Sequence, residues 1–310
     1  MMIDSSKPCF LGLDVGGTQS RWALATPLGE IFAEGVADGF SGARLASELE
    51  REIVGDRLNT IADAVHRAQH QRRLSGLHAG VTGIGADAPE LVSMLEQAFD
   101  LRREQVCVTS DAELSFHAAL AAGEGFLVYS GTGTIAVFID NEGVLHRAGG
   151  RGAMLDDAGG GYWIAREALR RVWRREDEHP GAWHDSPMAR ALFALVGGDS
   201  SIYAARFLME NERGAVGRLA LVVAAHTHED ALAAEILNDA GAELARLANA
   251  MLRRYGERKI VVAGRASVLH PFIESAMRRG TPEPTSIEFR QVQAHVAAAK
   301  IAATHAQRLL

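Results

Sequence analysis

The stretch Asp14-Val15-Gly16-Gly17-Thr18-Gln19-Ser20-Arg21 follows the apolar run Phe10-Leu11-Gly12-Leu13, and a similar arrangement returns at Tyr129-Ser130-Gly131-Thr132-Gly133-Thr134 after Phe126-Leu127-Val128. In both places a short apolar run leads into glycines and hydroxyls and then into a second β-rich run, Trp22-Ala23-Leu24-Ala25 or Ile135-Ala136-Val137-Phe138-Ile139. Each therefore predicts a hairpin turn. Glycine lets the main chain approach a ligand and adopt positive φ, so successive N–H groups can converge on an anion while threonine hydroxyls add donors. Neither turn carries G-x-x-x-x-G-K-[ST] or a full G-x-G-x-x-G, and neither runs directly into a helix, which removes the P-loop and dinucleotide readings. A single glycine turn between strands is ordinarily only a turn. Two in one chain, with an acid (Asp14) ending the first strand and none ending the second, suggest a nucleotide held between two similar halves.

Outward from these turns, apolar runs predict strands near 10–14, 20–26, 30–37, 77–82 and 105–110, with helices near 44–70 and 88–99. The pattern then restarts with strands near 126–130, 134–140 and 143–148. A long helical region follows from about Gly161 to Tyr255, then a strand at 259–263, a helix at 267–279, a strand near 286–289 and a terminal helix at 292–308. Three strands, a helix, a strand, a helix and a strand make an α/β half-domain resembling ribonuclease H. The expected fold is α/β, with two ribonuclease H-like domains and an interdomain cleft. The first domain takes residues 1–118 plus 291–310, and the second takes 119–290 with a helical insertion.

A length of 310 residues, 47% of them hydrophobic, suffices for two domains with real cores. A formal charge of −7 and no basic cluster argue against nucleic acid as a partner. No apolar stretch reaches membrane length, and the polar start from Met1 to Pro8 lacks a signal-peptide core, so a cytoplasmic protein is expected. Cys9 and Cys107 sit beside predicted strands and read as core thiols rather than a disulfide.

The two turns resemble the phosphate motifs of the acetate and sugar kinase, heat-shock protein seventy and actin superfamily, Asp-x-Gly-Gly-Thr and Gly-Thr-Gly-[Ser/Thr]. A third stretch, Gly149-Gly150-Arg151-Gly152-Ala153-Met154-Leu155-Asp156-Asp157-Ala158-Gly159-Gly160-Gly161-Tyr162-Trp163-Ile164, narrows the match. It resembles the Gly-Gly-Trp-Gly-x-x-x-Gly-Asp-Glu-Gly-Ser-x-x-Trp signature of the BadF/BadG/BcrA/BcrD ATPase family, which contains N-acetylglucosamine and glucosamine kinases. The resemblance implies an ATP- and Mg²⁺-dependent sugar kinase, with ATP and an amino sugar as small-molecule ligands and a homodimer as the assembly. Asp111, in Val108-Thr109-Ser110-Asp111-Ala112-Glu113, then looks like the general base, and the alternative is that it merely caps the following helix. Asp14 resembles the residue that holds Mg²⁺ through water. Gly16, Gly17 and Thr18 resemble the first phosphate turn, and Gly131, Thr132, Gly133 and Thr134 the second. Gly264, Arg265 and Ser267 resemble the adenosine turn, with Arg265 where the family has a second glycine. Ser41, Gly42, Asp111, Gly150 and Asp157 fall where the family contacts sugar.

The departures bear on the acceptor. Arg151, Asp156, Ala158 and Gly160 replace the signature's Trp, Gly, Glu and Ser, and the loop Asp38-Gly39-Phe40-Ser41-Gly42-Ala43-Arg44 lacks asparagine. A site built from buried hydrogen bonds discriminates strongly among analogues, so such changes alter the acceptor rather than merely weaken it. His226-Thr227-His228-Glu229 reads as a solvated helix end rather than a metal site, and the arginine pairs at 170–171 and 174–175 as a wet helix face. Tyr162 and Trp163 suit either sugar stacking or core packing. Two alternatives stay open: a non-catalytic sugar- or nucleotide-binding regulator derived from a kinase, and the ATPase activator of a 2-hydroxyacyl-CoA dehydratase.

Overall fold

The structure, a computed structural model, describes residues 7–45, 47–84 and 89–308. The polar start at 1–6, residue 46 of the predicted helix at 44–70 and the first residue of that predicted at 88–99 lie outside the described residues. The chain divides into two compact units, one formed by the residues up to Ala119 together with those from Val292 onward, the other by Leu120–Gln291.

In the first unit, β1 (Pro8–Val15), β2 (Gln19–Ala25) and β3 (Ile31–Asp38) form an antiparallel meander. Helix α1 (Glu48–Ala68) leads to β4 (Arg73–Val81), α2 (Pro89–Phe99), β5 (Val106–Ser110) and α3 (Asp111–Ala119). The sheet order is β3-β2-β1-β4-β5, with β4 parallel to both β1 and β5. The second unit repeats this plan with β6 (Gly125–Ser130), β7 (Thr134–Ile139) and β8 (Leu145–Gly149). Six helices follow: α4 (Gly161–Glu178), α5 (Pro187–Val196), α6 (Ser201–Glu210), α7 (Arg213–Gly217), α8 (Ala220–Ala225) and α9 (Ala231–Tyr255). Then come β9 (Lys259–Ala263), α10 (Pro271–Gly280) and β10 (Ile287–Phe289). The order β10-β9-β6-β7-β8 is the first sheet's order read from its other edge. Helix α11 (Ala294–Arg308) belongs to the first unit.

Both glycine-threonine stretches are hairpin turns, with Val15 paired to Ser20 and Ser130 to Thr134. Several expected elements begin late, three of them for local reasons that the structure shows. A 3-10 turn at Gly42–Arg44 precedes α1, so the helix predicted from 44 starts at Glu48. The strand predicted from 143 starts at Leu145, because Asp140 gathers the Glu142 and Val144 N–H groups into a turn that Gly143 closes at φ 82°. The helix predicted from 267 starts at Pro271, where the His270 ring accepts from the Phe272 N–H and proline occupies the first helical position.

Strand β1 is buried on both faces, and its period-two alternation sorts its side chains. Cys9, Leu11, Leu13 and Val15 enter the core formed with Val54, Leu58, Ile61, Leu91 and Leu95 of α1 and α2. Phe10, on the opposite face, packs on Ala302 and Ala303 of α11, and a side chain at Gly12 would collide with the His295 carbonyl and the Ala299 amide of that helix. Asp14 shares this second parity. Cys9 is fully buried, and burial pushes its thiol up to about 11; Cys107 is only partly buried, and burial raises its thiol too. Both are free thiols, as expected. Among the described residues no helix is long and apolar enough to cross a membrane.

Glycine is needed at position 12 but not at 55, where an added Cβ in mid-helix would meet only the Met94 Cε at 3.8 Å. Gly12→Ala should lower stability by about 1–3 kcal/mol through overpacking. Gly55→Ala should raise it by about 1 kcal/mol through helix propensity. Urea unfolding of both variants checks the pair.

Candidate active site

In the first unit the site forms where three neighbouring strands end. Val15 lies opposite Val81 across β1 and β4, and Val81 opposite Ser110 across β4 and β5. The next residues, Gly16, Thr82 and Asp111, therefore leave the sheet in one row. The carboxyl ends of parallel strands are where open α/β sheets bind ligands.

Asp14, one step inside that row, is paired with Arg21 on β2 and with Gly80 on β4. Burial pushes its carboxyl up to about 6, the Asp111 charge adds to the rise, and Arg21 opposes it. Asp111 is raised as well, chiefly by burial, while a hydrogen bond from Thr82 and the Ala112 N–H (2.8 Å to Oδ1) favour its ionised form. The choice between cap and base has a structural answer for the cap: α3 begins at Asp111, and the Ser110 Oγ accepts from the Glu113 N–H at 3.1 Å. Ser110 thus satisfies the donor that a capping Asp111 would have taken.

Ser41 and Gly42 sit beside the same row. The Gly42 N–H and the Ser41 hydroxyl donate to the Thr82 carbonyl at 2.9 and 3.4 Å, and the Thr82 N–H donates to the Val15 carbonyl at 2.9 Å. The Gly39 N–H donates to the Thr18 carbonyl at 3.1 Å, and the Arg57 guanidinium donates to the Gly39 carbonyl. In the first turn the Gly16 N–H donates to the Gln19 carbonyl at 3.0 Å, while an added Cβ at Gly17 would meet no atom within 4 Å. Asp14, Gly16, Gly17, Thr18, Ser41, Gly42 and Asp111 are thus brought together. Thr82, which joins three of these segments, has no signature of its own in the sequence.

In the second unit the other candidates gather around Ser130–Thr134. The Gly131 N–H closes the turn onto the Gly133 carbonyl at 2.9 Å, and the Gly131 and Thr132 carbonyls accept from the Gly161 and Tyr162 N–H groups at the start of α4. The Ser130 hydroxyl donates to the Gly159 carbonyl at 2.8 Å, and the Thr134 hydroxyl to the Ala158 carbonyl at 2.7 Å. Gly150 donates to the Thr134 carbonyl at 2.9 Å. Gly264, at φ 98°, lies so close to the Ser130 carbonyl that no side chain fits, and the Ala266 N–H bonds that carbonyl at 3.0 Å. The buried Ser267 hydroxyl donates to the Gly264 carbonyl at 2.7 Å, while Arg265 on the same turn is exposed. Thr134 and Ser267 therefore brace main chain, and with the Gly131 N–H turned onto the Gly133 carbonyl, the turn's donors toward a ligand are the Thr132 and Gly133 N–H groups.

Asp157 is buried, in the left-handed region at φ 58°. Its Oδ1 accepts from the Gly152 N–H at 3.1 Å and its Oδ2 from Arg213 at 2.5 Å. Arg213 is a second residue that sequence reasoning missed. Trp163 and Tyr162 pack against the large core of this unit. His226 bonds the Val222 carbonyl of its own helix, and no group of three or more His, Cys, Asp or Glu side chains among the described residues could hold a metal. Magnesium commonly needs only one or two carboxylates, with water and phosphate completing its shell, so the half-buried Asp14–Asp111 pair has suitable donor chemistry.

The model of the BadF/BadG/BcrA/BcrD ATPase family matches residues 11–280. The chain is 26% identical over 178 residues to an N-acetylmuramic acid/N-acetylglucosamine kinase of Clostridium acetobutylicum, a match covering 54% of each protein. It is 24% identical over 185 residues to an N-acetyl-D-glucosamine kinase of Dictyostelium discoideum, covering 56% of each. The chain thus spans about half the length of the curated relatives it matches. A candidate N-acetylglucosamine kinase from Chromobacterium violaceum shares the fold at a TM-score of 0.74 and 20% identity, over 96% of this chain and 99% of that one. A ROK family glucokinase from Streptomyces griseus, solved with glucose and AMPPNP, shares it at a TM-score of 0.57 and 15% identity, over 97% of this chain and 99% of that one. With 11–280 of its 310 residues under the family model and a doubled β-β-β-α-β-α-β plan, the chain belongs to the BadF/BadG/BcrA/BcrD ATPase family.

Proposed function

We propose that this protein is an ATP-dependent sugar kinase that transfers the γ-phosphoryl group to a hydroxyl, O6, of an amino sugar. The observation that carries the reading is the pair of half-buried carboxylates, Asp14 and Asp111, beside the Gly16–Thr18 turn at the carboxyl ends of β1 and β5. The amino sugar is supported by the names of the two curated relatives. A reaction that uses ATP and two free thiols suit the cytoplasm.

Asp111 accepts the proton of the sugar hydroxyl as its oxygen bonds the γ-phosphorus and the bond to the β-phosphate oxygen breaks, releasing ADP. Burial raises the carboxyl's basicity, which favours its accepting a proton, while the hydrogen bond from Thr82 favours its ionised form. Asp14 would hold Mg²⁺, and the ion would supply neutralisation of phosphate charge when bound. The Thr132 and Gly133 N–H groups donate to phosphate, and Ser41 and Gly42 line the acceptor side. With no acidic side chain at Ala158 and Arg151 exposed, the sugar contacts differ from those implied by the signature.

An ADP-release screen across N-acetylglucosamine, glucosamine, N-acetylmuramic acid, N-acetylmannosamine and glucose tests the reading. Turnover with an amino sugar is expected; ATP binding with silence from every acceptor would replace the kinase by a regulatory binder. Asp111→Asn should lower turnover by about 10²- to 10⁴-fold and leave ATP affinity in place. Equal turnover in that variant would remove Asp111 as the base.

The pH dependence has a definite sign. With its carboxyl pushed up to about 6, Asp14 is protonated below that pH and ionised above it. Magnesium-dependent ATP affinity should therefore rise between about pH 5 and about pH 7. The ligand-free fold holds this proton more tightly than the unfolded chain. Its stability should fall as pH rises from the ordinary 3.8 through about 6. Calorimetric titration and thermal melting across that range check the two opposite trends, and Asp14→Asn should flatten both.

A further inference from the structure

Arg213 opens helix α7, and its side chain is half exposed at 50%, while its partner Asp157 is only 6% exposed. The Arg213 Nη2 lies 2.5 Å from the Asp157 Oδ2, and the guanidinium carbon lies 5.9 Å from the centre of the Tyr162 ring. The pair rests on the phosphate turn. An added Cβ at Gly133 would collide with the Asp157 Oδ2 and lie 3.1 Å from the Arg213 Nη2. Asp157 is itself fixed by the Gly152 N–H, and Tyr162 by the bond from its N–H to the Thr132 carbonyl. A buried carboxylate thus holds a half-exposed guanidinium against Gly133.

This arrangement suits anion recognition. Guanidinium offers five donors in a planar fork, and the carboxylate engages only part of it. A carboxylate alone at this depth would repel a polyphosphate and stand uncompensated. With the guanidinium placed between Asp157 and solvent, the outward side is a cation fixed in position before the ligand arrives, so little ordering is lost on binding.

We infer that Arg213 contacts the phosphate chain of the nucleotide at the Gly131–Thr134 turn, and that Asp157 is the positioning residue that aims it. The inference rests on the nucleotide reading of that turn, not on the identity of the sugar. It also gives Asp157 a role on the nucleotide side rather than as a sugar ligand.

The test compares ligands with and without phosphate. Binding of Mg-AMPPNP and of adenosine is measured by calorimetry for the full chain, Arg213→Met, Arg213→Lys and the double variant Arg213→Met/Asp157→Asn. The double variant removes both charges, so it leaves no unpaired carboxylate and keeps the test open if Arg213→Met alone fails to fold. Arg213→Met and the double variant should weaken AMPPNP by about 10- to 100-fold with adenosine affinity unchanged. Arg213→Lys should recover part of the loss, since a point charge replaces the fork. Parallel loss of both ligands would make the pair a structural clasp, and unchanged AMPPNP affinity would remove Arg213 from the site; either overturns the inference. A wild-type protein that binds adenosine as tightly as AMPPNP overturns it too. If AMPPNP discrimination is lost in the variants while no sugar is phosphorylated by the wild type, the kinase reading fails and this one stands.

Discussion

Asp14 and Asp111 are two half-buried carboxylates at the ends of strands in one sheet, close enough for the Asp111 charge to raise the Asp14 carboxyl. Burying charge is costly unless it is compensated, and here compensation is deliberately partial: Arg21 opposes the rise at Asp14, and Thr82 with the Ala112 N–H does so at Asp111. The first unit is arranged to produce this state. Parallel register places Gly16, Thr82 and Asp111 in a row, and period-two alternation puts Asp14 on the sheet face that meets α11, opposite the main core. Acids perturbed by burial together with a specific charge partner are candidates for functional sites.

The second unit solves a different problem with the same topology. Its turn follows a strand without a terminal acid, and the neighbourhood is built from main chain. The Ser130 carbonyl, the Thr134 hydroxyl and the Gly131 and Thr132 carbonyls are all engaged by the glycine-rich segment, by α4 or by the Gly264 turn. Gly160 shows how tight the fit is, since an added Cβ would lie 2.7 Å from the Thr132 carbonyl and 2.8 Å from Gly133. That close approach gives a physical reason for glycine at a position where the family signature carries serine.

Much of this was legible in the sequence because it is local. Apolar runs flanking glycine pairs specified both hairpins, and their repetition pointed to two sheets of one plan. Asp14 stood out as an acid ending an apolar strand, whereas Asp111 stood out by its resemblance to the family's motif aspartate, since locally it read equally well as a helix cap. Thr82 did not, because its meaning comes from parallel strands far apart in sequence, and Val81-Thr82-Gly83 carries no local mark. Arg213 lies 56 residues from Asp157, in a helical region whose breaks were not resolved by periodicity. The late start of α10 was missed for the opposite reason: the cap is local, but a histidine ring rather than Ser, Thr, Asp or Asn provides it.

The state of the two carboxylates is the most direct check. Carbon-13 NMR titration of the aspartate carboxyl carbons, assigned with Asp14→Asn and Asp111→Asn, reads both groups with and without Mg²⁺. Asp14 should titrate near 6, Asp111 above the ordinary carboxylate value, and each should shift when the other is neutralised. Added Mg²⁺ with nucleotide should pull Asp14 downward. Two independent carboxyls titrating near the ordinary 3.8, indifferent to each other and to Mg²⁺, would contradict the account.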